Sequence, residues 1–139
     1  MTAFRLFALA LLTSISLLHA EESSRAGFLF ALQTAVKTHD FPAMQQCFNL
    51  EGADFAMVDS IRKTLEEVRS WPSPHVFTSE RGTGEPLVIQ RDGKTYVLNG
   101  NWSFQVHIHK SPPPSRGFVF PAGLTPSGAY KILVTVPKS

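Results

Sequence analysis

The sequence predicts an α+β fold, in which N-terminal helices pack on a curved antiparallel sheet of four to six strands. Apolar residues recur at helical spacing from about residue 25 to residue 70 and at a spacing of two after residue 75. The two prolines in Trp71–Pro74 prevent the last helix from continuing, so the period changes at one point in the chain. Helices followed by a run of strands are typical of α+β domains.

The first predicted helix begins at Ser23 or Ser24, either of which can cap the free backbone N–H groups of a helix. Its apolar residues form one stripe and end near residue 37. They are Phe28, Leu29, Leu32, Ala35 and Val36. This spacing indicates a helix with one buried face.

Two further helices are predicted before the prolines. Asp40 is a second N-cap, and Pro42 lies in the first turn, where its missing N–H leaves no bond unmade. A short helix then runs to about Phe48. A third helix is expected from Asp54 to Ser70, with charged residues on its solvent side paired at i,i+4, such as Asp59 with Lys63. Its apolar stripe comprises Phe55, Val58, Ile61, Leu65 and Val68.

The second half of the chain predicts strands. Asp92-Gly93 suits the type I′ turn of a hairpin, which sets Ile89 opposite Tyr96. A three-residue turn at 99–101 is expected to set Leu98 opposite Trp102, so that the large apolar side chains share one face. Those side chains are Leu87, Ile89, Tyr96, Leu98, Trp102, Phe104, Val106 and Ile108. Residues 111–117 are expected to form a surface loop, and Tyr130, Ile132, Val134 and Val136 one side of a final strand.

Residues 1–20 have the pattern of a secretory signal peptide. Arg5 precedes an apolar run that ends at Leu18, and the segment closes on Ala20. The sequence therefore predicts a secreted or periplasmic protein with one domain over residues 21–139 and no stable membrane span after cleavage. An uncleaved N-terminal anchor is the alternative.

Composition excludes some classes of partner. The chain carries 13 basic and 11 acidic side chains, a net charge of +2 with neutral histidines, so nucleic acid is not an expected partner. Cys47 is the one cysteine, so no internal disulfide forms. Its neighbours favour a small buried side chain. An intermolecular disulfide or a reactive thiol is the alternative.

His107 and His109 are the clearest candidates for chemistry. Residues two apart on a strand point the same way, about 7 Å apart at a rise of ~3.3 Å per residue. Such a pair can bind a metal, although a zinc site usually needs a third protein ligand. The candidates for it are His75, His39, Glu80 and Asp40. Strand alternation puts the pair on the side of the sheet away from the helices. Histidines at such positions are often exposed polar residues or part of a subunit interface.

The segment "FLFALQTAVKTHDFPAMQQCF" (residues 28–48) resembles the opening of many NTF2-like and cystatin-like α+β domains. In overall style the chain is most similar to exported bacterial proteins. The resemblance implies a helical layer against a curved sheet. It does not imply one activity, because such folds include enzymes, ligand binders and assembly modules. The catalytic Asp/His pair of the enzymatic members has no matching position here.

The function predicted from the sequence is that of an exported, non-catalytic domain that binds a small ligand or a protein and needs no cofactor. Its pocket is expected to be lined by Phe28, Tyr96, Trp102 and Phe104. One alternative is an oligomerising structural module, such as a homodimer formed through the face that carries the histidine pair. The other is a metal-dependent hydrolase or lyase built on His107 and His109.

Overall fold

The computed structural model describes residues 24–81 and 86–138. Within these residues it contains three helices and seven strands, which confirms the predicted α+β class. The helices are α1 (Arg25–Lys37), α2 (Phe41–Gln46) and α3 (Phe55–Ser70). The strands are β1 (His75–Glu80), β2 (Val88–Arg91), β3 (Lys94–Leu98), β4 (Asn101–His109), β5 (Gly117–Leu124), β6 (Tyr130–Ile132) and β7 (Thr135–Pro137). The predicted signal peptide, residues 1–20, lies outside the described residues.

Two helices start at the predicted caps, Ser24 and Asp40, and Asp54 caps the third helix where that helix was expected to begin. The side chain of Ser24 accepts a hydrogen bond from the backbone N–H of Gly27, and Asp40 and Asp54 accept equivalent bonds three residues ahead. Each cap satisfies a donor that the helix itself leaves unpaired. The starts of the helices are therefore determined by residues that lie next to them in the sequence.

The strands form two antiparallel sheets, where the sequence predicted one sheet of four to six strands. The four-stranded sheet has the order β1-β4-β5-β6, and the three-stranded sheet has the order β2-β3-β7. The β2–β3 hairpin is confirmed, with Ile89 opposite Tyr96. Both turn residues have positive φ, 51° at Asp92 and 73° at Gly93, as a type I′ turn requires.

The predicted pairing of Leu98 with Trp102 is wrong. Strand β3 pairs with β2 and β7, whereas β4 pairs with β1 and β5, so residues 99–100 connect two sheets instead of closing a hairpin. The β4–β5 register also shifts between Trp102 and Phe104, which is a β-bulge. Trp102 is therefore absent from the buried core that Phe104 occupies.

The predicted final strand divides into β6 and β7, and the chain passes between the sheets at residues 133–134. This second crossing lies against the first. Asn99 exchanges hydrogen bonds with the backbone of Val134, and its side-chain amide also donates to the carbonyl oxygens of Asn49 and Glu51. Every polar atom of that amide is thereby bonded, so Asn99 ties both crossings to the segment after α2.

The core lies between the helices and one face of the four-stranded sheet. Phe104, Val106 and Ile108 of β4 are fully buried, as the alternation predicted. Helix residues Phe28, Leu32, Met44, Leu65 and Val68 cover them. Cys47 is buried among the same residues. Two residues of the predicted α3 stripe lie outside the core: Phe55, the first helical residue, is 84% exposed, and Val58 is only partly buried.

Candidate functional site

The candidate site is the side of the four-stranded sheet that faces away from the helices. The register places the outward residues of three strands side by side. His75 lies opposite His109, Phe77 opposite His107 and Ser79 opposite Gln105. On the other side of β4, Gly117, Val119 and Pro121 complete the surface. We call these nine residues the outer sheet face. With neutral histidines, none of them carries a charge.

Three aromatic rings are stacked on this face. The ring of Phe77 lies 4.6 Å from that of His107, with an interplanar angle of 6°, and 5.5 Å from that of His109, with an angle of 19°. The centroids of the two imidazoles are 6.0 Å apart. Offset stacking of this kind stabilises partly exposed rings in defined orientations. Phe77 therefore packs against both members of the predicted histidine pair.

Hydrogen bonds fix the orientation of both imidazoles. Nδ1 of His109 lies 3.1 Å from the carbonyl oxygen of Ser115 and donates to it, so Nε2 of the neutral ring keeps its lone pair. Nε2 of His107 lies 2.7 Å from Oγ of Ser79 and shares a hydrogen bond with it. A Cβ atom at Gly117 would lie 2.5 Å from Nδ1 of His109, so only glycine leaves room for the ring.

Burial lowers the pKa of His107 below its usual value, and the neighbouring His109 lowers it further. A protonated imidazole at this position would lose hydration and face a second basic ring. His107 is therefore neutral at pH 7, the form in which imidazole binds metals.

The structure brings a third histidine to the same face. His75 is the direct cross-strand neighbour of His109, although 34 positions separate them in the sequence. The spacing of the H-x-H pair contains no signal for this pairing, because it depends on which strand lies beside β4. In one chain, the described residues contain no group of three or more His, Cys, Asp or Glu side chains arranged to hold a metal.

The other candidates for a third ligand lie elsewhere. His39, between α1 and α2, donates from Nδ1 to the carbonyl oxygen of Arg69, 3.0 Å away. Asp40 caps α2, and Glu80 forms an ion pair with Arg25.

The four residues of the predicted pocket do not surround one cavity. Phe28 and Phe104 are in edge-to-face contact at 6.0 Å, and both belong to the packed core. Tyr96 lies in the three-stranded sheet beneath Arg91. The ring of Trp102 lies 3.9 Å from the guanidinium carbon of Arg81. It lines a cleft of about 320 Å³ near the crossing between the sheets.

A larger groove adjoins the outer sheet face at His75. Its volume is about 810 Å³. Among the described residues, those that line it are Gln33, Lys37, Pro72, Ser73, Pro74, His75, Val76 and Pro112. The groove thus lies between the second half of α1, the segment that precedes β1 and the loop that follows β4. The sequence predicted these prolines only as the end of the last helix and as part of a surface loop.

No helix among the described residues is long and apolar enough to cross a membrane. Comparison of the chain with protein-family models, with curated proteins and with solved structures finds no match. The two surfaces that meet at His75 are therefore the features of the described residues that point to a function.

Proposed function

We propose that the chain is an exported, non-catalytic binding domain whose groove takes a small apolar molecule that carries a negative charge. The observation that supports this proposal best is the chemistry of the groove. Its walls are largely apolar, and Lys37 is the one formally charged residue among the described residues that line it. Ligand sites are commonly concave, apolar and of 300–1,000 Å³, with a few polar groups that orient the ligand.

The apolar walls are stiff. Pro72, Pro74 and Pro112 contribute rings whose backbone φ angle is fixed, so ordering them around a ligand costs little conformational entropy. Val76 completes the apolar wall. Its carbonyl oxygen accepts a hydrogen bond of 3.2 Å from Nε2 of Gln33, which joins α1 to β1 across the groove. The shape of the groove therefore depends on fixed elements.

Lys37 supplies the charge. It lies in the last turn of α1, where the partial negative charge of the helix end stabilises a cation. Lys37 is exposed, and the described residues that line the groove include no carboxylate to neutralise it. A ligand carboxylate bound here would gain a charge-assisted hydrogen bond while its apolar part lies against the prolines.

Export and the absence of catalysis belong to the same proposal. The charge and hydropathy pattern of residues 1–20 supports export. The sequence has no position that matches the catalytic Asp/His pair of the enzymatic NTF2-like members, which supports a binding role. The resemblance to NTF2-like and cystatin-like domains is also proposed. It is supported by helices that pack on one face of an antiparallel sheet. The resemblance implies one curved sheet, whereas the described residues form two.

Calorimetric titration with octanoate and with 1-octanol tests the proposal. The two probes share an apolar chain and differ in charge, so octanoate should bind more tightly. Lys37→Gln should weaken octanoate binding about three- to tenfold and leave octanol unchanged, because one partly exposed ionic contact contributes about 1 kcal/mol. Lys94→Gln is the matched control, since Lys94 is an exposed lysine in the hairpin of the other sheet.

Each outcome bears on a different part of the proposal. Equal affinity for octanoate and octanol, or octanoate binding that Lys37→Gln leaves unchanged, would show that charge does not select the ligand. No binding of either probe at millimolar concentration would overturn the groove as a site for small amphiphiles.

A further inference from the structure

We propose that the outer sheet face is a metal-dependent contact between two copies of this chain, in which His107 and His109 of each copy hold one zinc ion. Four imidazoles would then surround the metal, two from each copy. This inference is independent of the groove, although His75 lies in both surfaces.

The two imidazoles of one chain are prepared as ligands. Because Nδ1 of His109 donates to the carbonyl oxygen of Ser115, its Nε2 is available to a metal. In the tautomer whose Nε2–H donates a hydrogen bond to Oγ of Ser79, the Nδ1 atom of His107 carries a lone pair that a metal can bind. Metal-binding histidines commonly donate their second N–H to a backbone carbonyl or another acceptor, which holds the ring in position.

The separation of the rings suits one ion. With Zn–N distances of about 2.0–2.1 Å, two imidazoles bound to the same zinc have ring centroids about 5–6 Å apart. The centroids of His107 and His109 are 6.0 Å apart in the structure without metal. The stacked ring of Phe77 and the absence of a side chain at Gly117 keep both rings near these positions.

One chain provides too few ligands. Structural zinc sites are almost always four-coordinate, whereas the described residues of one chain contain no suitable group of three donors. A second copy related by a two-fold axis supplies the same two imidazoles, because such an interface places identical patches against each other. The site is therefore incomplete in one chain and complete in two.

The composition of the face favours a second copy as the occupant. None of the nine residues is charged with neutral histidines, so two copies meet without like-charge repulsion and without burying an unpaired ion. Phe77 is partly exposed and Val119 is 53% exposed, which offers apolar area at the centre of the contact. Aromatic side chains are enriched and lysine and acidic residues are depleted in such interfaces.

The size of the face explains why a metal would be needed. Three strands of six to nine residues cover roughly 20–30 Å by 10–15 Å, given ~3.3 Å per residue and ~4.8 Å between strands. That is about 200–450 Å², below the roughly 800 Å² per partner of a typical stable interface. Apolar contact alone would thus give weak association, and four metal–nitrogen bonds supply what it lacks.

Sedimentation velocity and light scattering of the untagged full chain test the inference. At about 50 µM protein we expect a monomer in EDTA or with Mg²⁺ and a doubling of mass with Zn²⁺, at one zinc per two chains. His107→Ala and His109→Ala should each abolish the doubling. His39→Asn is the control, because asparagine tolerates the positive φ of 56° at this distant histidine. Lys37→Gln should dimerise like the unchanged protein, which separates this test from that of the groove.

Three results would overturn the inference. A chain that stays monomeric with Zn²⁺ has no metal-dependent contact. One zinc bound per monomer, lost in His75→Ala, would show that His75 completes a site within one chain. A dimer that persists in EDTA or in His107→Ala is held by contacts other than the metal.

Discussion

The solvent side of α3 and the outer sheet face are both the exposed surfaces of amphipathic elements, yet their chemistry is opposite. On α3, Arg62 bonds to Asp59 at 2.9 Å and to Glu66 at 2.8 Å, and Lys63 bonds to Asp59 at 3.0 Å. The outer sheet face has no charged residue when its histidines are neutral, and stacked rings occupy its centre.

The difference indicates which surface is better suited to a contact with a partner. Charged side chains paired at i,i+3 and i,i+4 keep a helix surface hydrated and contribute little to stability. An uncharged surface with exposed aromatic rings is less well hydrated, so it loses less hydration free energy when another surface covers it. The charges on α3 thus mark a surface that remains in water, whereas the outer sheet face is suited to a contact.

The largest effect is expected for Phe77→Ala. Phe77 stacks on both histidines, so its loss should lower the free energy of unfolding by about 1–3 kcal/mol, less than the 3–5 kcal/mol typical of a fully buried Phe. Urea unfolding measures the change. Phe55→Ala makes the same substitution on α3, where the side chain is 84% exposed, and should cost less than about 0.5 kcal/mol. Equal losses in the two variants would remove the contrast between the surfaces.

Gly117→Ala is expected to have the next largest effect. Alanine in a strand usually stabilises relative to glycine by about 0.5–1 kcal/mol. Here the new Cβ atom would lie 2.5 Å from Nδ1 of His109, so the ring must move away from Ser115 and Phe77. We expect a net loss of about 1 kcal/mol, with a changed chemical shift for the His109 ring protons. An unchanged shift together with higher stability would show that the ring does not need this space.

Arg62→Ala tests the charged surface and should have a smaller effect. Its two ion pairs are exposed, so the loss of stability at low salt should be small, and smaller than that of Gly117→Ala. In 1 M NaCl, where screening acts over ~3 Å, most of that loss should disappear. The cost of Phe77→Ala should not depend on salt, and urea unfolding at both salt concentrations distinguishes the two. A salt-independent cost for Arg62→Ala would assign it to packing.

His107 on the outer sheet face and Asp59 on α3 should lose their contributions to the free energy of unfolding in different pH ranges. This is the smallest expected effect. The pKa of His107 is lowered in the folded chain, so the unfolded chain binds more protons as the pH falls below about 6.5. The contribution of His107 is therefore complete above that pH and declines below it. His107→Gln should flatten this part of the profile of unfolding free energy against pH.

Asp59 behaves similarly at a lower pH. Hydrogen bonds from Arg62 and Lys63 lower its pKa, so its contribution is present above about pH 4 and declines below it. Asp59→Asn should therefore leave the profile between pH 7 and pH 5 unchanged. A change in that range for Asp59→Asn, or none for His107→Gln, would contradict the assignment of the two ranges.

The sequence identified part of the candidate site, and the strand partners of β4 decided the rest. Alternation along β4 was enough to place His107 and His109 on the side away from the core. It was not enough to find Phe77, Ser79 and His75, because their positions depend on β1 lying beside β4 in one register. The groove was missed because its walls come from three separate segments.

Local interactions made other features predictable. Ser24, Asp40 and Asp54 cap helices by bonds to backbone groups three residues away, and Asp92-Gly93 closes its hairpin within four residues. Such features depend on hydrogen bonds and turn conformations within a few residues of the chain, which form in the same way whatever the rest of the fold. The sequence by itself therefore determined where the helices start, where the period changes and which side of β4 is apolar.

Only the tertiary structure decided how the strands are shared between two sheets. The local pattern favoured a turn at 99–101 that keeps Leu98 and Trp102 on one face. In the fold, β7 pairs with β3, Asn99 ties both crossings to Asn49, and a bulge takes Trp102 out of the core. Pairings between distant segments are settled by which arrangement buries the most apolar surface and satisfies the most backbone groups, and neither quantity can be read from a short stretch of sequence.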